Sequence, residues 1–170
     1  MDEETVLLAL GSNIEPRLQH CASAMAILAR HLRIVAASPV YETEPIGPPQ
    51  ARYLNVVLIA RTTYAPRMLL AVLKRIECEL GRHERTRNAP REMDIDILDY
   101  GQRVITDDGV IVPHPRLAQR SFVLVPLAAC APDWRHPVCG RTARELLDTR
   151  PPAERAGIRR FHRTLIIPRS

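Results

Sequence analysis

The stretch "REMDIDILDY", residues 91–100, sets Asp94 and Asp96 two positions apart inside a run of isoleucines. Aspartate is a poor strand former and costly to bury. In an extended segment side chains alternate between faces, so both carboxylates share one face while Ile95 and Ile97 pack on the other. Two carboxylates that close repel unless positive charge sits beside them. Either neighbouring basic residues or a divalent metal supplies it. Just upstream, "GRHERTRNAPR" carries Arg82, His83, Arg85, Arg87 and Arg91. Mg²⁺ is commonly held by one or two carboxylates plus phosphate oxygens and water. Arginine grips phosphate with a planar fork that stays charged at any working pH. Acidic metal ligands beside several arginines are the parts needed for phosphoryl-group transfer, where catalysis is mostly positioning and charge neutralisation. The competing reading is a purely structural salt-bridge cluster. Neither a GxxxxGK[ST] loop nor a GxGxxG is present, so a nucleotide here is not held by a P-loop.

The elements that must position these residues follow from periodicity. "TVLLAL" (5–10) reads as a buried strand ending at the turn Gly11-Ser12-Asn13. Pro16 suits the first turn of a helix, and Leu18, Cys21, Met25, Leu28 and Leu32 recur at helical spacing. Residues 34–45 look extended, with Pro39 marking an edge strand or bulge. "YLNVVLIART" (53–62) is a strand rich in β-branched residues. A second helix runs from Pro66 to Leu80 on a stripe of Leu69, Val72, Leu73, Ile76 and Leu80, and Gly81 stops it. "MDIDILDY" makes the fourth strand. The predicted order is β-α-β-β-α-β, a ferredoxin-like α+β core. A hairpin turning at Asp108-Gly109 and short helices in "RSFVLVPLAAC" and "GRTARELLDT" follow it. We expect one domain over residues 1–149. Residues 150–170, with six Arg against one Glu and three prolines, read as a basic tail of uncertain order.

Composition bounds the partners. At 170 residues and 46% hydrophobic content the chain fits one domain with a real core. A net charge of +5 favours an anionic partner without choosing one. The acidic start "MDEETVLLALGSN" lacks the features of a signal peptide, and no apolar run approaches a membrane span. Four scattered cysteines without a CxxC read as reduced thiols, which points to the cytoplasm. Single-stranded RNA readers share this strand order but place aromatics on central strands. This chain is only 4% aromatic and "TVLLAL" has none, so we expect neither nucleic acid nor membrane as a partner. A nucleotidyltransferase would recruit a further acid at the end of the first strand, where this chain reads "LALGSN". A second polar surface comes from "TEPIGPP" followed by Tyr53 and Asn55 on one strand face. A ring beside a carboxamide suits a flat heterocycle, although a core tyrosine and a satisfied strand asparagine would look the same.

Taken together, "GSN", "YETEPIGP", "YLN", "GRHERTRNAPREMDIDIL", "VPHPRL" and "QRSFVLVPL" resemble, in this order, the 6-hydroxymethyl-7,8-dihydropterin pyrophosphokinases of folate biosynthesis, over roughly residues 5–148. The resemblance implies an α+β ferredoxin-like fold, ATP, two Mg²⁺ and a pterin alcohol as acceptor. It implies transfer of the β,γ-pyrophosphoryl unit of ATP to the pterin hydroxymethyl oxygen, with release of AMP. By position, Asp94 and Asp96 match the metal-binding aspartates. Glu77, Arg82, Arg91, Ile97, His114 and Arg120 match the ATP site, with Arg82, Arg87 and Arg91 as the catalytic arginines. Thr43, Pro45, Ile46, Tyr53, Asn55 and Phe122 match the pterin pocket, with Tyr53 and Phe122 sandwiching the ring. Association with neighbouring folate-pathway enzymes is a further implication. The chain departs from the family pattern at Asn88, where a tryptophan is usual, and at Glu44, where a proline is common.

Overall fold

The computed structural model describes residues 2–81, 89–107 and 109–168. Its spine is an antiparallel pair, β1 (Glu4–Ser12) and β4 (Tyr53–Thr62), whose apolar runs lie at the centre of a six-stranded sheet. β5 (Asp94–Tyr100) pairs antiparallel with the outer side of β1. On the other side β4 meets β2 (Arg33–Ala37) and β3 (Tyr41–Thr43), and β3 in turn meets β8 (Arg159–Arg160). The extended segment expected over 34–45 is thus divided in two. Pro39 has no N–H to give a ladder, and Ser38 repairs the break: its N–H donates to Val57 O at 2.8 Å, and its hydroxyl accepts from Val57 N at 3.0 Å.

Helices α1 (Arg17–Leu28) and α2 (Pro66–Glu79) cover one face of the sheet. Val6, Leu8 and Leu10, with Leu54, Val56 and Leu58 and with Ile95 and Ile97, point to them and form the main core with Met25, Leu69, Leu73 and Ile76. Removing a side chain such as Leu58, fully buried, would cost roughly 2–5 kcal/mol. Alternate residues of the same strands face the other way. Leu7, Val57 and Leu98 pack there against Val123, Leu124 and Leu127 of α3 (Ser121–Cys130) and Leu146 of α4 (Ala143–Asp148). α4 opens on a capping box between Thr142 and Glu145, as its sequence allows.

The hairpin is β6 (Ile105–Asp107) on β7 (Val110–Val112). After it the chain runs back along the sheet. The segment read as a basic tail contains α5 (Pro152–Ala156) and β8, and Phe161, Leu165 and Ile167 pack against the main core. All four cysteines are free thiols. Among the described residues no helix is long and apolar enough to cross a membrane.

Candidate active site

On the second sheet face α3 covers the Leu7–Val57–Leu98 end and leaves the other end open. Register decides what lines that opening. Asp94 lies opposite Gly11, which lies opposite Asn55, and Asp96 lies opposite Ala9. The small residues on the middle strand separate acidic from amide side chains and leave room between them. A Cβ at Gly11 would come within 3.1 Å of Asn55 Oδ1 and 3.7 Å of Tyr53 Cδ1, so any larger residue here would have to push the Asn55 amide aside by a few tenths of an ångström. The result is a cavity of about 500 Å³ with Asp94 and Asp96 toward one end and Asn55, Tyr53 and Phe122 toward the other.

At the acidic end both aspartates keep about a third of their side chains exposed, 31% for Asp94 and 33% for Asp96. Two arginines and an imidazole flank them. Arg91 Nη1 donates to Asp94 Oδ1 at 3.2 Å, while Arg120 Nη1 and His114 Nε2 stand 3.8 and 3.9 Å from Asp96 Oδ2. Burial pushes the His114 imidazole below its ordinary range, against the pull of Asp96, and the Arg120 and Arg116 charges add to the burial effect. Arg116 N–H donates to His114 Nδ1 at 3.1 Å, so the neutral ring carries its proton on Nε2, toward Asp96.

Glu77 works from behind. It sits on the buried stripe of α2, and its Oε1 accepts from Ile95 N–H, between the two aspartates, at 2.6 Å. Lys74 Nζ donates to both carboxylate oxygens at 3.2 and 3.0 Å. Burial raises the Glu77 carboxyl above the usual range, opposed by Lys74 and by the Ile95 N–H. β5 is an outer strand of the sheet, so the Glu77 acceptor at that N–H satisfies a backbone donor on its open edge, between the two aspartates.

At the other end Asn55 Nδ2 donates to the buried Thr43 hydroxyl at 2.7 Å. That uses one of the two amide N–H groups and leaves Oδ1 turned toward Gly11 and the cavity. Burial, reinforced by Asp94, raises the Tyr53 phenol, which stays neutral. The Arg120 guanidinium lies over the Phe122 ring at 5.5 Å, bridging the two ends.

The structure brings Thr43, Ile46, Tyr53, Asn55, Arg91, Asp94, Asp96, His114, Arg120 and Phe122 to this one cavity. Pro45, Glu77 and Ile97 are not on its wall: Glu77 and Ile97 are buried behind β5, and Pro45 lies next to the lining residues Glu44 and Ile46. Arg82 and Arg87, like His83, Arg85 and Asn88, lie outside the described residues. Several residues escaped the sequence reading, among them Arg116, which also lines the cavity. Lys74 lines the cavity, and its i, i+3 spacing to Glu77 was the available signal. Gln119 lines it from the turn before α3. Asn13, read only as part of a turn, ties two loops together. Its Nδ2 donates to Gln50 Oε1 at 2.8 Å and Ala51 O at 3.1 Å, its Oδ1 accepts from Arg91 N at 2.8 Å, and its own N–H donates to Arg91 O at 3.1 Å.

Residues 7–132 match the family model described as 7,8-dihydro-6-hydroxymethylpterin-pyrophosphokinase (HPPK). The 2-amino-4-hydroxy-6-hydroxymethyldihydropteridine pyrophosphokinase of Aquifex aeolicus is 41% identical over 142 residues, 83% of this chain and 89% of that protein. The Pseudomonas aeruginosa enzyme of the same name is 41% identical over 147 residues, 85% and 90% of the two chains. A mitochondrial folate synthesis bifunctional protein of Arabidopsis thaliana is 42% identical over 127 residues, 74% of this chain but 23% of that longer one. In shape the chain resembles the wild-type Plasmodium falciparum HPPK-DHPS crystallised with SDX-DHP. That match has a TM-score of 0.75 at 16% identity and covers 86% of this chain and 44% of the other, so it speaks to the α+β fold alone.

Proposed function

Because the chain belongs to the 7,8-dihydro-6-hydroxymethylpterin-pyrophosphokinase family, we propose that this cavity is where its reaction takes place, with polyphosphate at the Asp94–Asp96 end and pterin at the Asn55 end. The activity is pyrophosphoryl transfer from ATP to hydroxymethyldihydropterin in folate synthesis. In that transfer the pterin hydroxymethyl oxygen bonds to the β-phosphorus, the bond from that phosphorus to the α,β-bridging oxygen breaks, AMP leaves, and the hydroxyl gives up its proton. The observation that carries the site assignment is that one 500 Å³ cavity joins a pair of acids to an amide-and-aromatic pocket.

The donor set suits Mg²⁺. Asp94 and Asp96 are hard oxygen ligands on one strand face and partly open to solvent, while among the described residues no group of three or more His, Cys, Asp and Glu could hold a metal. A pair of carboxylates completed by phosphate oxygens and water is how Mg²⁺ is usually held, and we assign two such ions to this end. Bound there, the metal would neutralise charge on the transferring phosphates. The chain's own residues do the rest. Arg91 and Arg120 offer guanidinium forks to the phosphates once Asp94 and Asp96 turn to metal. Arg82 and Arg87 are proposed to join them. Asn55 Oδ1 accepts from the amino and ring N–H edge of the pterin, with Tyr53 and Phe122 on its two faces. We read the β5-β1-β4-β3 order as the ferredoxin-like arrangement, which puts both ends of the site on one sheet face. Fusion in the Arabidopsis relative supports association with a neighbouring folate-synthesis enzyme. The test is product identity. Incubation with Mg-ATP and 6-hydroxymethyl-7,8-dihydropterin should yield AMP in step with pterin consumed, and release of ADP instead would refute the assignment.

A further inference from the structure

We propose that the C-terminal segment, residues 150–168, is a strap that positions the pterin end of the cavity by holding two of its walls at once. One wall is the start of α3. Ser121 stands between Arg120 and Phe122, is 5% exposed, and its Oγ donates to Glu154 Oε2 at 2.6 Å. Glu154 is itself held by Arg150, whose Nη2 donates to Oε1 and Oε2 at 2.9 Å each and whose Nε reaches Oε2 at 3.3 Å. The other wall is β3. β8 pairs with it, Arg159 opposite Glu42 and Arg160 opposite Tyr41, and Phe161 N–H donates to Val40 O at 2.8 Å. β3 ends at Thr43, the residue that fixes the Asn55 amide. Without β8 this three-residue strand would be the open edge of the sheet.

Phe161, Leu165 and Ile167 pack on the main core and keep the strap down. No strap residue lines the cavity, so its residues are positioning residues. All of them lie beyond residue 132, where the family match ends. The hydrogen bond is directional and the Ser121 hydroxyl is buried, so losing its acceptor lets the Phe122 wall relax instead of simply rehydrating.

The inference rests on the assignment of the Thr43–Asn55–Phe122 end to pterin, and the experiment separates the two. Steady-state KM for 6-hydroxymethyl-7,8-dihydropterin at saturating Mg-ATP is measured for Glu154→Ala, Ser121→Ala, the double variant, Glu154→Gln and Asn55→Ala, with the melting temperature of each. Glu154→Ala and Ser121→Ala should each raise the pterin KM about three- to tenfold with a smaller change in kcat. The double variant should do no more than either single one, because both remove the same bond. Glu154→Gln, whose amide oxygen still accepts from Ser121, should recover most of the loss. A melting temperature that falls while pterin KM stays put, or additive losses in the double variant, overturns the strap. Unchanged pterin KM in Glu154→Ala with a raised value in Asn55→Ala overturns the strap alone. Unchanged values in both bring down the pocket assignment and the strap with it.

Discussion

Asp94→Asn and Asp96→Asn set the metal reading against the salt-bridge reading. Residues two apart on a strand are about 6.7 Å apart along the chain. At that separation two unit charges repel by roughly 0.6 kcal/mol in water and roughly 2.5 kcal/mol at an effective dielectric of about 20. With each carboxylate about one-third exposed, removing one charge should relieve about 1 kcal/mol. Against this, Asp94→Asn weakens the 3.2 Å contact to Arg91, worth up to about 1 kcal/mol for a partly exposed pair. Asp96 loses only the Arg120 guanidinium at 3.8 Å, at the margin of ion pairing, and the neutral His114 ring at 3.9 Å. The two effects nearly cancel for Asp94, and relief wins slightly for Asp96. Both variants should therefore melt within about 4 °C of the parent, since about 1 kcal/mol moves a chain of this size by about 2–4 °C. Turnover should behave differently. The amide is a far weaker ligand for a hard cation, so kcat should fall by at least ~10²-fold, about 2.7 kcal/mol of barrier. The assay is AMP release per folded molecule, with the folded fraction taken from thermal unfolding in the same buffer. Variants that melt early yet turn over normally per folded molecule would refute the metal assignment and establish the salt-bridge cluster instead.

Three further outcomes are expected. Asn55→Ala removes a cavity-facing amide oxygen and frees Thr43, so pterin affinity should drop by about five- to 150-fold, roughly 1–3 kcal/mol, in a titration with a non-hydrolysable ATP analogue present. Binding of the analogue itself should stay within about twofold, and equal loss of both ligands would move Asn55 out of the pterin site. Asn13→Ala breaks three side-chain hydrogen bonds between the loops, so urea unfolding should show a loss of about 3 kcal/mol together with a lower kcat/KM; a loss below about 0.5 kcal/mol would mean the loops do not depend on it. Asp99 is buried at 2% exposure, with Trp134 Nε1–H and Gln102 N–H both donating to Oδ2 at 3.2 Å. Burial raises its carboxyl above the usual carboxylate range, against the Trp134 and backbone donors, so the folded state binds that proton more tightly than the unfolded chain does. Its contribution to stability is full below the unfolded value and is lost as pH rises through the folded one. Unfolding free energies of Asp99→Asn and parent, compared from about pH 4 to about pH 7, should diverge in the variant's favour as pH rises, and a constant difference would contradict the burial effect.

What the chain declares locally was legible without coordinates. The two-residue period of "MDIDIL" places both aspartates on one face, because alternation is a property of any extended backbone. The stripe of α2 and the turn signals around it set that helix, and Pro39 signalled an edge strand or bulge in 34–45, where the fold in fact divides the segment into two strands. Naming a pterin alcohol and ATP needed the motif resemblance, since spacing alone speaks only of phosphate and metal. Other features came only with the fold. Glu77 falls beside the α2 stripe in the sequence, but that its carboxylate would meet Ile95 N–H depends on how α2 crosses β5. Asn13 looked like a turn residue, yet its oxygen accepts from a backbone amide 78 positions away. Residues 150–170 read as a basic tail of uncertain order, whereas in the fold Glu154 accepts from Ser121 and Arg159 and Arg160 pair with the edge of β3. Periodicity and turn chemistry are written into neighbouring residues. Which buried donor meets which acceptor is decided by packing of segments far apart in the chain, and polar groups taken out of water must then find partners wherever that packing puts them.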